Sequence, residues 1–262
     1  MIGKDSGSLC PDVMVSVVMP AYNCAHYVAE AIRSVLGQSH RNLELIVIDD
    51  CSSDNTYSIL QDFASQDARV RPFCNERNLG VAATRNRGIS LAAGEYVALL
   101  DSDDRWHPEK LDLQLRCAQA TGAELIYTSY ALMDASGDTP YPAQIVPGSV
   151  NVKQLLRNNV IGCSTVMLSR ALFDRYQFPA EYYHEDYALW LQLLQDGHKA
   201  AGLPEVLVDY RVTSGSKAGN KRKSAAHRWR IYRDFMHLSL LASAKYSLLY
   251  AAAGIKKYHK RG

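Results

Sequence analysis

Three short apolar runs in the first hundred residues each end at a polar cluster, and this repeated pattern constrains the fold more than any other feature. Residues 13–19, 43–48 and 96–100 are rich in Val, Ile and Leu and are too short for helices, so each reads as a buried strand. They are followed by Pro20-Ala21-Tyr22-Asn23, by Asp49-Asp50 and by Asp101-Ser102-Asp103-Asp104. Between them lie helical patterns: 27–38, with Val28, Ile32, Val35 and Leu36 on one stripe, then 56–63, and then 81–92 with Gly94 as its stop. Residues 70–73 read as a weaker strand, and Pro108 opens a helix to about Thr121. Strands alternating with helices predict an α/β fold, a mainly parallel sheet with helices on both faces. Ligands of such sheets bind beyond the carboxyl ends of the strands, where all three polar clusters fall.

The second half is less regular. Residues 134–148 read as a Pro/Gly-rich loop or hairpin, 163–168 as a strand, 185–196 as a helix stopped by Gly197, and 206–212 as a last strand. The 262 residues suffice for one large domain or two small ones, and 47% apolar with 21% charged residues excludes a disordered or fibrous chain. Six cysteines without a CxxC pair fit a reducing compartment. Residues 1–11 lack a signal-peptide core, and no apolar stretch reaches the roughly 18–20 residues that span a bilayer, so the expected location is the cytoplasm. The charge is uneven: of 29 Lys and Arg, 12 lie from Lys217 onward beside a single acid, Asp234. An acidic body thus carries a basic tail, which calls for an anionic partner.

Carboxylates at the exposed end of a buried strand are costly unless a cation meets them. Hard oxygen donors favour Mg²⁺ or Mn²⁺ shared with substrate phosphates. If residues 101–103 are extended, Asp101 and Asp103 point the same way, about 6–7 Å apart. One then serves the metal and the other a sugar hydroxyl; alternatively the cluster only caps the following helix. Neither GxGxxG nor GxxxxGK[ST] is present.

Four segments occur in order: Val15-Ser-Val-Val-Met-Pro-Ala-Tyr-Asn23, Leu45-Ile-Val-Ile-Asp-Asp-Cys-Ser-Ser-Asp-Asn-Thr56, Asn78-Leu-Gly-Val-Ala-Ala-Thr-Arg-Asn-Arg-Gly-Ile89 and Gly94-Glu-Tyr-Val-Ala-Leu-Leu-Asp-Ser-Asp-Asp104. Together they resemble the family-2 glycosyltransferases with the GT-A fold, closely over 13–110 and more weakly to 216. Glu185-Asp-Tyr-Ala-Leu-Trp190 and Tyr210-Arg-Val-Thr-Ser-Gly-Ser-Lys217 narrow the likeness to bacterial enzymes of teichuronic acid, capsule or lipopolysaccharide synthesis.

The resemblance implies a metal-dependent inverting transferase using a nucleotide diphosphate-sugar, with UDP favoured by Tyr22 and Asp50. It places Pro20, Ala21, Tyr22, Asn23 and Asp50 around the base, Asp101 and Ser102 at the ribose, and Asp103 on the metal. It makes Asp186 the base, with Glu185 and Trp190 orienting the acceptor and His184 only a neighbour. A general base must take the acceptor hydroxyl proton, and a helix start stabilises such acids. Arg85 faces phosphate or base, or is simply structural. Arg211, Ser214, Ser216 and Lys217 match a mobile loop over the diphosphate.

The expected organisation is a catalytic domain over 1–216, with a donor half at 13–110 and an acceptor half at 111–216, and a basic helical tail over 217–262. In the tail, Ile231, Phe235, Leu238, Ala242 and Leu249 share a helical face. That helix docks on an anionic membrane at the cytoplasmic face, on the body, or in a homodimer. The acceptor is then a glycan or lipid-linked saccharide; no nucleic-acid reader motif is present. Competing readings are a sugar nucleotidyltransferase and a non-catalytic nucleotide-sugar-binding partner.

Overall fold

The computed structural model describes residues 12–212 and 221–259. One eight-stranded sheet runs through the molecule in the order β3-β2-β1-β4-β7-β6-β8-β5. Its first half is built from β1 (Val15–Ala21), α1 (Val28–Leu36), β2 (Leu43–Asp49), α2 (Thr56–Gln66), β3 (Val70–Cys74), α3 (Val81–Ser90) and β4 (Tyr96–Leu99). Strands β1 to β4 pair only in parallel with one another. The second half adds β5 (Arg105–Trp106), α4 (Lys110–Thr121), β6 (Leu125–Met133), α5 (Val152–Arg157), β7 (Met167–Ser169), α6 (Glu185–Gln195) and β8 (Ala200–Arg211). Here β7 runs antiparallel to β4 and β6, whereas β6 and β8 pair in parallel over most of their length.

Alternation along β1 divides the core. Val15, Val17 and Met19 face α1, α2 and α4, while Val18 faces α3, α5 and α6 on the other side. Strand β1 continues through Pro20 to Ala21, two residues past the expected stop. Its pairing with β4 ends at Val18, whose carbonyl accepts from Leu100, so proline's missing N–H falls where no neighbour needs it. Gly94 is not the stop of α3, which Leu91 caps. A side chain at Gly94 would come within 2.6 Å of the Met14 carbonyl and 2.7 Å of the Ser16 nitrogen, so glycine lets this segment enter β4 against the β1 backbone.

The segment read as a strand from 163 divides into a 3₁₀ turn, Cys163–Thr165, and the short β7. The tail is helical in two pieces, α7 (Lys221–Arg230) and α8 (Leu240–His259), joined through a π turn at Ile231–Phe235. Of the tail face expected from the sequence, Ile231 is fully buried and Phe235 and Leu238 pack on the second core, which is the docking on the body, while Leu249 is 38% exposed.

Candidate active site

The crevice forms where β1, β2 and β4 end. Asn23 and Cys51 both adopt positive φ, 46° and 63°, turning the chain sharply out of β1 and β2. The two loops are latched together: Asn23 N–H donates to Ser52 Oγ at 2.8 Å, and Ser53 N–H donates to Asn23 Oδ1 at 2.8 Å. Pro20 and Ala21 are buried in β1, while Tyr22 stands 52% exposed at the rim.

Asp50 is almost wholly buried and organises the segment before α3. Its carboxylate accepts from Asn75 Nδ2 at 2.6 Å, Leu79 N–H at 2.8 Å and Gly80 N–H at 2.9 Å. The same acid that resembles a base-binding residue thus also shapes the Asn78-Leu79-Gly80 turn.

Residues 101–104 are not extended. Asp104 N–H donates to the Asp101 carbonyl at 3.1 Å, closing a turn, so the alternation expected of Asp101 and Asp103 does not apply. The turn is pinned by residues from the second half. Ser164 Oγ accepts from Asp101 N–H at 3.0 Å and donates to Asp104 Oδ2 at 2.5 Å. Arg211 N–H donates to Asp104 Oδ1 at 2.8 Å. Burial together with Asp103 and Asp101 drives the Asp104 carboxyl well above its ordinary value. Burial, aided by Asp101, also pushes Asp103 up to about 6. Ser102 is buried against the Cys24 thiol.

Arg211 closes β8 rather than riding on a loop. Its Nε donates to the Asp103 carbonyl at 2.8 Å, Nη1 to the Asp134 and Ala135 carbonyls, and Nη2 to Glu30 at 2.6 Å. It also lies over the Tyr27 ring at 4.6 Å. Four of its five N–H groups are thereby committed, and its role here is to hold the acid turn. Ser214, Ser216 and Lys217 lie outside the described residues.

Arg85, on α3, is 4% exposed and bridges two carboxylates. Nη2 donates to Asp101 at 2.5 Å and Nη1 to Glu185 at 2.6 Å. Phe178 lies under its guanidinium at 5.5 Å. Glu185 opens α6 but is buried, turned to Arg85 rather than outward. Asp186, next in the chain, is half-buried and close enough to add to the field on Arg85. Trp190 cannot orient an acceptor: it is fully buried and packs edge-on against Phe178 at 5.9 Å. Tyr187, Ala188, Leu189, Leu191 and Leu193 are buried as well, so α6 is enclosed nearly all round at this level.

The sequence reading missed Asp104, Ser164 and Tyr210. Burial, with Asp104, Asp101, Asp103 and Asp186 in that order, pushes the Tyr210 phenol well above its usual range. The acid turn and the helix-start acid both contribute to this shift, and the contact that ties the two regions together is Arg85, bonded to Asp101 and Glu185. The position of Tyr210 at the end of β8, beside Arg211, was the available signal. His184 Nε2 lies 2.8 Å from Ser224 Oγ, fastening the start of α6 to α7.

The fit of a divalent cation turns on Asp103. Asp101 is paired with Arg85 and each Asp104 oxygen already accepts a hydrogen bond, whereas no cationic side chain pairs with Asp103 among the described residues. Asp103 would therefore be the protein's direct ligand. No group of three or more His, Cys, Asp or Glu able to hold a metal occurs among the described residues, so substrate phosphate and water would complete such a shell.

A sheet whose parallel strands β1, β2 and β4 end at a buried acid turn, tied through Arg85 to Glu185 at the start of α6, is the architecture of the GT-A glycosyltransferases. The chain belongs to glycosyl transferase family 2, whose model matches residues 16–176. It is 38% identical over 245 residues to TuaG of Bacillus subtilis (strain 168), a protein named as a teichuronic acid biosynthesis glycosyltransferase, covering 93% of this chain and 97% of that one. It is 36% identical over 248 residues to the Escherichia coli UDP-Glc:alpha-D-GlcNAc-diphosphoundecaprenol beta-1,3-glucosyltransferase WfgD, covering 94% and 96%. Among solved structures, S. aureus TarS (residues 1–349) in complex with UDP-GlcNAc superposes with a TM-score of 0.72 at 19% identity, over 91% of this chain and 71% of that one. The mannosyltransferase PcManGT of Pyrobaculum calidifontis, in complex with GDP-Man and Mn²⁺, gives 0.69 at 18% identity, over 96% and 77%. The two structural likenesses bear on the fold.

Proposed function

We propose that this family-2 glycosyltransferase moves a sugar from a UDP-sugar to a hydroxyl of a lipid-linked saccharide, with inversion, during bacterial surface polysaccharide synthesis. The observation that carries the reading is Arg85, which bonds Asp101 of the acid turn and Glu185 beside Asp186 and so supports donor and acceptor chemistry side by side. Residues 13–110 supply the donor half: the exposed Tyr22 ring offers a stacking face for the base, and Asp50, Asp101 and Ser102 lie at the strand ends. Residues 111–216 supply Asp186, which takes the acceptor proton as the oxygen attacks the anomeric carbon. Mn²⁺ or Mg²⁺ at Asp103 would neutralise charge on the leaving diphosphate. Arg85 holds Glu185 and Asp101 in register, so its part is to position both halves. Ser214, Ser216 and Lys217 are proposed to close over the diphosphate. UDP as the donor nucleotide and a lipid-linked acceptor are also supported by the activity for which WfgD is named.

The proposed location is the cytoplasmic face of a membrane; no helix among the described residues is long and apolar enough to cross one.

The test is nucleotide release over UDP-, GDP- and dTDP-sugars with Mn²⁺, Mg²⁺ or EDTA, using a synthetic polyprenyl-diphosphate saccharide as acceptor. Metal-dependent release from a UDP-sugar, with inverted configuration in the product, is expected. Asp186→Asn should abolish transfer and leave UDP affinity within a few-fold. Near-normal turnover of that variant would remove Asp186 from the role of base.

A further inference from the structure

On α8, positions 241, 244, 245, 248, 249 and 252 fall at spacings of i, i+3, i+4, i+7, i+8 and i+11, which share one helical face. Every one of them is exposed. The residues are Leu241, Ala244, Lys245, Leu248, Leu249 and Ala252, and Leu241 and Leu248 are 86% and 73% exposed. Leu240 beside them is 63% exposed. The opposite face is the one that packs: Ser243 is fully buried, Tyr246 meets Tyr232 at 6.3 Å, and the Tyr250 ring lies 3.3 Å from the Arg228 guanidinium. Water thus meets a leucine-rich face that the protein body does not cover. It is not the face read from the sequence, most of which turned inward.

The charge of this stretch of sequence selects its partner. After Asp234 the chain has no acidic residue, and it carries Lys245, Lys256, Lys257, Lys260 and Arg261. An exposed apolar face on a stretch whose only charges are cationic fits a surface that is apolar below and anionic above. We propose that α8 docks by its Leu241–Leu248 face on an anionic lipid surface, lying in the interface plane without spanning it. The α7 helix links this face to the site: Ser224 meets His184, and His227 stacks on Tyr183 at 4.8 Å, both immediately before Glu185 and Asp186. A docked α8 therefore anchors the side of the crevice from which a lipid-borne hydroxyl would approach Asp186, which deepens the acceptor reading above.

The experiment is co-sedimentation of the full chain with phosphatidylglycerol/phosphatidylethanolamine vesicles, and with phosphatidylcholine alone, at about 0.1 M salt. Nucleotide release by soluble enzyme and light scattering are measured in parallel. The wild type is expected to bind the anionic vesicles and to bind phosphatidylcholine at least about 10-fold less. The double variant Leu241→Glu/Leu248→Glu is expected to lose at least about 10-fold of anionic-vesicle binding while keeping wild-type nucleotide release. Wild-type failure to bind anionic vesicles, or undiminished binding by the double variant, overturns the proposal. So does a change from dimer to monomer in the variant with vesicle binding unaltered, which would give the face to a second copy. Nucleotide release tests the transferase reading separately, so the two can fail independently.

Discussion

Arg85 spends one positive charge on carboxylates that lie 16 and 100 residues away from it in the chain. A guanidinium can do this because its fork presents separate donors to each, whereas a lysine offers a single point charge. Arg85→Lys should therefore keep the charge and lose one of the two bonds. We expect transfer to fall by about 10- to 100-fold, with most of the change in kcat, and steady-state kinetics with a saturating donor would show it. Asp103 gives a second measurable effect. In the ligand-free protein its carboxyl is raised to about 6 from an unfolded value of 3.8. The native state then holds the proton more tightly than the unfolded chain between those values, so stability falls as pH rises from about 4 to about 6. Asp103→Asn should flatten that limb and raise stability at pH 7.5 by on the order of 1 kcal/mol, read by urea denaturation without added metal. Residue types at strand ends were legible from the sequence, because apolar runs ending in acids have few structural explanations. Their partners were not: nothing near Arg85 in the chain announces Glu185, and a buried pair leaves no local periodicity.

Elements fit as closely as the residues do. Helix α3 lies on β1 and β2 with Gly88 at the contact, where an added methyl would meet Val18 Cγ1 at 2.5 Å. Val18 is a fully buried residue of a central strand and has little room to yield. Gly88→Ala should cost about 1–3 kcal/mol by overpacking, and Val18→Ala in the same chain should restore part of it, as thermal melts of the single and double variants would report. The βα alternation of the first half was visible because β1, β2 and β4 are dominated by apolar residues, broken inside the strand only at Ser16 and Glu44. Strand β6 went unseen, although its nine residues pair with both β7 and β8. Thr128, Ser129 and Tyr130 interrupt its apolar run, and the buried hydroxyls are satisfied by neighbouring carbonyls that only the fold supplies. Trp190 differs for a related reason: a motif places a residue in sequence, but packing against Phe178, outside that motif, buries its ring.

Across the whole molecule, the fold class and the strand ends at which the polar clusters lie were legible, because both follow from pattern. The joint between the two halves was not, because it is made of single long-range bonds. The acid turn depends on Ser164 and Arg211, which lie 60 and 107 residues beyond their partner Asp104. During synthesis, therefore, a ribosome has finished strands β1 to β4 long before it makes the groups that set the turn. A nascent chain stalled before Arg211 would carry Asp101, Asp103 and Asp104 without their final geometry. Incomplete chains of this kind should be poor at consuming activated sugars in the cell.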